Sequence, residues 1–281
     1  WCSPKQACWP TPGEIAAFEA DLAIDSGRVL AWEGGEQPYP CSVPILSPQN
    51  QPLYGFGVSG LDAVYVRPTT DNTTEGCFAQ SPEVRPWCFA GTRNNPLEDW
   101  EPFFVVFAVN TSHVQRTVAF AAAHRLCLSV AGTGHDFQNR HSCAGGILLR
   151  TTLIQPPLEF DAAAGTVRVG SGATWDEVQA AASSRGLFVA AGWSRTVGVA
   201  GGSLGGGHGP FANLVGLGVD NLVSAEVVLA NGTVVEATGE LLWALRGGGG
   251  SAFGVVTSFT VRTHPSPPSG FAIMTAQWGG D

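Results

Sequence analysis

Lysine is almost absent from this chain: Lys5 is the only one in 281 residues. Charged residues make up just 13%, and acidic side chains outnumber basic ones 23 to 14, a formal net charge of −9. Nucleic acid and anionic membrane surfaces therefore find no electrostatic footing here. A Walker A loop is excluded for want of its Gly-Lys pair. Any phosphate must be held by backbone N–H groups, by arginine or by a helix N-terminus. No apolar run reaches the ~18 residues that a membrane span needs. No two cysteines form a Cys-x-x-Cys pair, so a metal site is not expected.

What is present points elsewhere. A hydrophobic fraction of 44% suffices for a sizeable core, in one large domain or two small ones. Five of the seven cysteines (Cys2, Cys8, Cys41, Cys77 and Cys88) lie in Pro-rich, loop-like sequence, which fits disulfides in an oxidising compartment. The odd count leaves a thiol free if all pairing is internal, and Cys127, in an apolar segment, is the expected buried one. Asn-x-Ser/Thr sequons begin at Asn72, Asn110 and Asn231, and the chain starts at Trp1 rather than methionine. Together these features predict a secreted, glycosylated eukaryotic protein.

Residues 1–100 read as a loop-rich lead segment pinned by disulfides. It has one amphipathic helix, Ile15 to Leu22, with Ile15, Phe18 and Leu22 on one face. Prolines dominate 26–52, and 53–100 read as long loops. Regular structure is expected over 101–265. A strand spans Phe103–Val109, and a helix capped by Thr111 or Ser112 runs to about Arg125. A second strand ends at Gly132. These strands are apolar on both faces, which suggests a sheet covered on both sides. Further strands are expected at 146–150, 166–170 and 187–191. A helix capped by Thr174 should carry Asp176 and Glu177 in its first turn and stop at Gly186. Leu222–Leu229, Asn231-Gly232 and Thr233–Ala237 have the form of a β-hairpin. A short helix over 241–245 and a strand over 253–261 follow. Residues 266–281 read as a linker and the start of a truncated further domain, with a strand beginning near 271.

Two Gly-rich stretches stand out. The first, Gly132-Thr133-Gly134-His135-Asp136, follows a buried strand. Glycines there let backbone N–H groups approach an anionic ligand. The second, Gly192 to Gly209, is too glycine-dense to be read as a helix and too long for a hairpin turn. It does not have the spacing of a Rossmann fingerprint. Gly192-Trp193-Ser194-Arg195-Thr196 lacks the second glycine of a serine nucleophile elbow. His113 and His124 are expected at the helix surface or edge. Arg246 is expected to anchor the Gly-rich turn after it or to pair with a carboxylate.

Four motifs occur in order: 130–137 around His135; 191–202 with Gly205-Gly206-Gly207; Gly216-Leu217-Gly218-Val219-Asp220-Asn221; and 242–250 with Phe253-Gly254-Val255-Val256-Thr257. This set resembles the FAD-linked oxidases of berberine bridge enzyme type, of the vanillyl-alcohol oxidase and p-cresol methylhydroxylase superfamily. The resemblance covers roughly residues 100–265, and Cys8-Trp9-Pro10 is similar to secreted fungal-type members. It implies an α+β FAD-binding domain of the p-cresol methylhydroxylase type: two subdomains of mixed sheets with surrounding helices. It implies FAD bonded covalently through His135, with Ala131, Gly132, Thr133, Gly134 and Asp136 at the pyrophosphate loop. Thr196, Val197, Gly198, Val199, Gly201 and Gly202 would line the cofactor, with His208 in the same stretch and Val256 on the last strand. Many relatives carry a second bond from a cysteine. Ser194 stands at that position, so a single bond is expected. Val197 matches the position beside the oxygen-reactive edge, which favours an oxidase passing electrons from an alcohol, sugar or related small molecule to O2. A dehydrogenase with another acceptor and a non-catalytic flavin-binding remnant are the alternatives. The catalytic base is expected in the substrate domain, so no residue here is assigned that role.

Overall fold

A computed structural model describes residues 1–2, 6–23, 28–31, 104–136, 140–141, 143, 146–250, 252–267 and 270–271. The loop reading of 53–100, the sequon at Asn72, the cysteines Cys41, Cys77 and Cys88, and all but Phe271 of the last expected strand lie outside the described residues.

Two sheets organise the chain. The first holds β1 (Arg28–Ala31), β2 (Phe104–Phe107), β3 (Leu128–Ala131) and β4 (Ile147–Arg150) in the order β1-β2-β4-β3. β4 runs parallel to both β2 and β3, and β1 is antiparallel to β2. Parallel strands require a crossover, and α2 (Thr111–Ala123) supplies one from β2 to β3, which flank β4. Val114, Val118 and Ala121 of α2 pack with Ile147 and Leu149 of β4. α1 (Pro12–Ala23) adds Phe18 and Leu22 to that core, and Phe18 stacks on Phe120 with ring centroids 4.1 Å apart. Thr11 and Glu14 bond reciprocally at the start of α1, which satisfies N–H groups that the helix itself leaves open. On β3 and β4, fully buried residues alternate with half-buried ones, so one face is sealed and the other only partly covered.

Several expectations are corrected here. The N-cap of α2 is Asn110, whose side chain accepts from His113 N at 2.9 Å. The Thr111 hydroxyl donates instead to Glu226 at 2.7 Å, across the molecule. His113 is fully buried rather than at the surface, and its Nδ1 accepts from Val109 N. Cys127 is no free thiol: it is bridged to Cys143, with Cα atoms 6.1 Å apart. Cys2 is bridged to Cys8. The Pro-rich stretch after Ser26 holds strand β1.

The second sheet holds β5 (Glu159–Asp161), β6 (Thr166–Gly170), β7 (Leu187–Val189), β8 (Leu222–Val228), β9 (Val234–Ala237) and β10 (Val255–Pro265). Its order is β5-β6-β10-β8-β9, with β7 also on β10, and every pair is antiparallel. The β8–β9 hairpin forms where Asn231-Gly232 predicts it, with Gly232 at φ 80°. α3 (Trp175–Ser183) begins with a capping box: Thr174 and Glu177 each bond the other's backbone N–H. Gly186, at φ 68°, stops the chain beyond it. Val178 and Ala182 of α3 bury against Val167, Val169 and Phe259. Burying a valine or phenylalanine side chain of this kind contributes roughly 1.5–3 kcal/mol by leaving water.

The two sheets are joined through Glu226 on β8. It accepts from Thr111 of α2, from Thr257 Oγ1 of β10 at 2.6 Å, and from Arg168 of β6 at 3.1 Å. Arg246 neither anchors the glycines after it nor meets a carboxylate among the described residues. Its guanidinium donates to the Leu222 carbonyl.

Candidate functional site

In a parallel sheet, ligands are met by the loops beyond the carboxyl ends of the strands. The first Gly-rich segment stands there, beyond Ala131 at the end of β3. The second begins after β7 and contains a feature the sequence reading excluded. Val199–Leu204 forms a short helix, α4, capped by Gly198. The reading failed because glycine opposes an isolated helix but not one held by neighbours.

Those neighbours are the start of α3. Val199 N donates to Ala173 O at 2.9 Å, Trp175 N to Val197 O at 3.1 Å, and Asp176 N to Arg195 O at 3.2 Å. Arg195 also grips the Asp176 carboxylate with two bonds of 2.8 Å. The guanidinium beside Asp176 holds that carboxyl below the usual range. This pair is exposed, so it fixes loop geometry more than it adds stability. The approach of 195–199 to 173–176 escaped sequence reasoning, because only tertiary contact creates it.

Two bonds tie the segments together. Gly198 N donates to Thr133 Oγ1 at 3.0 Å, and His135 Nε2 lies 2.9 Å from Thr196 Oγ1. Ser194 Oγ sits 3.4 Å from the same Thr196 hydroxyl. His135 is half-buried. Desolvation lowers its pKa, and a hydrogen bond with the Thr196 main chain pulls it the other way. Asp136 turns back to bind Arg140 through both carboxylate oxygens. Nearby, burial and then the charge of Arg150 push His141 down to about 4. His141 and Arg150 were not picked out from the sequence as a pair.

The glycines divide by what surrounds them. A Cβ on Gly198 would lie 3.1 Å from Thr133 Cγ2, and one on Gly202 would lie 2.9 Å from the Trp175 indole nitrogen. Protein packing therefore opposes a side chain at Gly202 and crowds one at Gly198. A Cβ on Gly201 would meet nothing within 4 Å, and one on Gly132 only Ser171 O, at 4.0 Å. Among the described residues, the N–H groups of Gly132, Thr133 and Gly134 donate to no partner, nor do those of Ala200 and Gly201 in the first turn of α4. Free N–H groups beside open space suit a pyrophosphate, which the near-absence of lysine leaves to the backbone. These residues fit FAD.

The other expected site residues lie around this core. Val197 is half-buried against the second sheet's core, and Val199 is fully buried in it. Val256, paired with Val227, is buried there too. His208 is exposed; its carbonyl is 3.8 Å from a Cβ placed on Gly192. No group of three or more metal-ligating side chains occurs among the described residues.

Fold and site together define the FAD-binding part of a flavoprotein: the parallel strands of a mixed sheet feeding a Gly-rich loop, stitched to a second loop on an antiparallel sheet. Comparison with known proteins agrees. The family described as FAD binding domain matches residues 102–238. FAD-linked oxidoreductase ZEB1 of Gibberella zeae is 35% identical over 94% of this chain and 47% of its own length. BBE-like 1 of Physcomitrella patens superposes with a TM-score of 0.56 at 32% identity, over 58% of this chain and 37% of that one. The grass pollen allergen Phl p 4, a glucose dehydrogenase, superposes with a TM-score of 0.58 at 28% identity, over 61% of this chain and 37% of that one. A variant of it, isoleucine to valine, is a glucose oxidase. The chain belongs to the FAD-linked oxidoreductases of berberine bridge enzyme-like type, and it spans about half the length of the curated relatives that match nearly all of it.

Proposed function

We propose that the protein containing this chain is a secreted FAD-linked oxidase. It takes a hydride from an alcohol, sugar or related small molecule and passes the electrons to O2, forming H2O2. The observation that carries this reading is the stitched pair of loops, with His135 held by Thr196 beside a row of free backbone N–H groups. FAD, when bound, supplies hydride acceptance and electron transfer. The chain's own residues bind and orient it. Gly132, Thr133, Gly134, Ala200 and Gly201 offer N–H groups to the pyrophosphate. His135 is the covalent anchor, and Ser194 stands where a second anchor would need a thiol. Val197 favours oxygen access, in keeping with the valine variant of Phl p 4 that is a glucose oxidase. The disulfides Cys2–Cys8 and Cys127–Cys143 support an oxidising compartment.

A dehydrogenase using another acceptor is the second reading, favoured by the wild-type activity of Phl p 4. The test is an acid-denatured gel viewed under ultraviolet light, followed by peroxide detection. A fluorescent band lost in His135→Ala supports the single covalent anchor. Flavin reduction by substrate without H2O2 selects the dehydrogenase. Folded protein with no flavin at any stage defeats both.

A further inference from the structure

We infer that Thr196 is the positioning residue for attachment of the flavin at His135: its hydroxyl takes the Nε2–H of the ring and leaves the Nδ1 lone pair as the nucleophile. The inference rests on the covalent reading of His135 and deepens it.

The geometry is specific. His135 Nε2 and Thr196 Oγ1 are 2.9 Å apart, and the Thr196 main chain also bonds the ring. A neutral imidazole carries one N–H, and a threonine hydroxyl can either accept it or donate to the bare nitrogen; with Thr196 accepting, the proton sits on Nε2. Fixing it on Nε2 turns the other nitrogen into the base. Burial lowers the ring's pKa, which favours the neutral form that nucleophilic attack requires. Thr196 is itself held. Val197 N donates to Ser194 O at 3.3 Å, Val197 O accepts from Trp175 N, and the next residue, Gly198, bonds Thr133. The hydroxyl is therefore presented by a loop fixed at both sides.

Attachment also has to dispose of a proton. The net step joins Nδ1 to the 8α-methyl carbon of the flavin and breaks one C–H bond of that methyl. The ring gives up its Nε2 proton. The two hydrogens and their two electrons leave to O2 as H2O2. Thr196 Oγ1 is the first acceptor on the path of the ring proton, and Ser194 Oγ, exposed and 3.4 Å further on, leads to solvent.

The test uses the intact flavoprotein, expressed from its complete coding sequence, as wild type, Thr196→Val, Thr196→Ala, Thr196→Ser and His135→Ala. Native flavin content, thermal midpoint and the fraction of flavin retained after acid denaturation are measured, the last by gel fluorescence and intact mass. Wild type and Thr196→Ser should retain their flavin. Thr196→Val and Thr196→Ala should fold and still take up flavin, yet attach the bound flavin about ten-fold more slowly or worse, the scale of a misplaced reacting group. The Thr196 main chain survives all three changes, so the hydroxyl alone is read. Attachment at the wild-type rate in Thr196→Val and Thr196→Ala overturns the inference. So does Thr196→Ser failing with them, which would implicate side-chain shape. A wild type that releases all its flavin, as His135→Ala should, defeats the covalent reading itself, and the role of Thr196 with it.

Discussion

The Thr133 hydroxyl accepts a hydrogen bond from Gly198 N at 3.0 Å, joining a loop on the parallel sheet to a loop on the antiparallel one. Thr133 is only 8% exposed. Thr133→Val keeps the shape and leaves a buried N–H without a partner. That costs about 1–3 kcal/mol and frees the two loops to part. A lower thermal midpoint and reduced flavin content are expected, with Thr133→Ser restoring both. Melting curves and the flavin-to-protein absorbance ratio check this.

Gly201 and Gly202 are adjacent in α4 and should respond oppositely to alanine. Gly201→Ala adds a methyl to open space on a helix, where alanine is favoured by roughly 0.5–1 kcal/mol. The apoprotein should melt no lower than wild type while binding FAD more weakly. Gly202→Ala presses on Trp175, and its apoprotein should melt lower. Equal FAD affinity in Gly201→Ala and wild type would remove Gly201 from the cofactor site.

Acid should act through two groups in separate windows. Burial lowers His141 from 6.5 to about 4, and the charge of Arg150 adds to this. Its contribution to stability is complete above 6.5 and declines as pH falls towards 4, because the unfolded chain takes up the proton first. Burial pushes the Glu226 carboxyl up, but bonds from Thr111 and Thr257 and the charge of Arg168 outweigh this and hold it below 4.5. Its contribution is complete above 4.5 and is lost as pH falls through the lower folded value. Thermal midpoints followed against pH should lose the upper limb of acid sensitivity in His141→Gln and the lower limb in Glu226→Gln.

The Cys127–Cys143 bridge closes a loop with a sequence separation of 16 that contains the whole 132–136 segment. A loop of about that length confers about 3 kcal/mol through the unfolded chain. Cys143→Ser should lower the melting point and speed flavin loss from a His135→Ala background. Stopped-flow release of the non-covalent flavin measures the second effect.

Much of this architecture was legible because its signals are local. Thr174 with Glu177 marks a helix start, Asn231-Gly232 marks a hairpin, and Gly186 marks a helix stop. The two Gly-rich segments stand out in the sequence because close backbone approach favours glycine. The errors arose where distant residues compete for a local role. Thr111 is a sound N-cap by type, but Glu226, 115 positions away, claims its hydroxyl and leaves the cap to Asn110. His113 reads as a surface residue until α2 is laid on the first sheet.

The sequence by itself determined the chemistry on offer. With one lysine, phosphate recognition falls to the backbone, arginine or a helix N-terminus, and with serine at 194, His135 is the single anchor we propose. Those are properties of residue type. Tertiary structure decided which groups meet. Gly198 and Gly202 serve packing while Gly201 faces open space. Cys127 pairs rather than staying reduced. Thr196 reaches His135, 61 positions away, because two sheets must pack before their loops can touch.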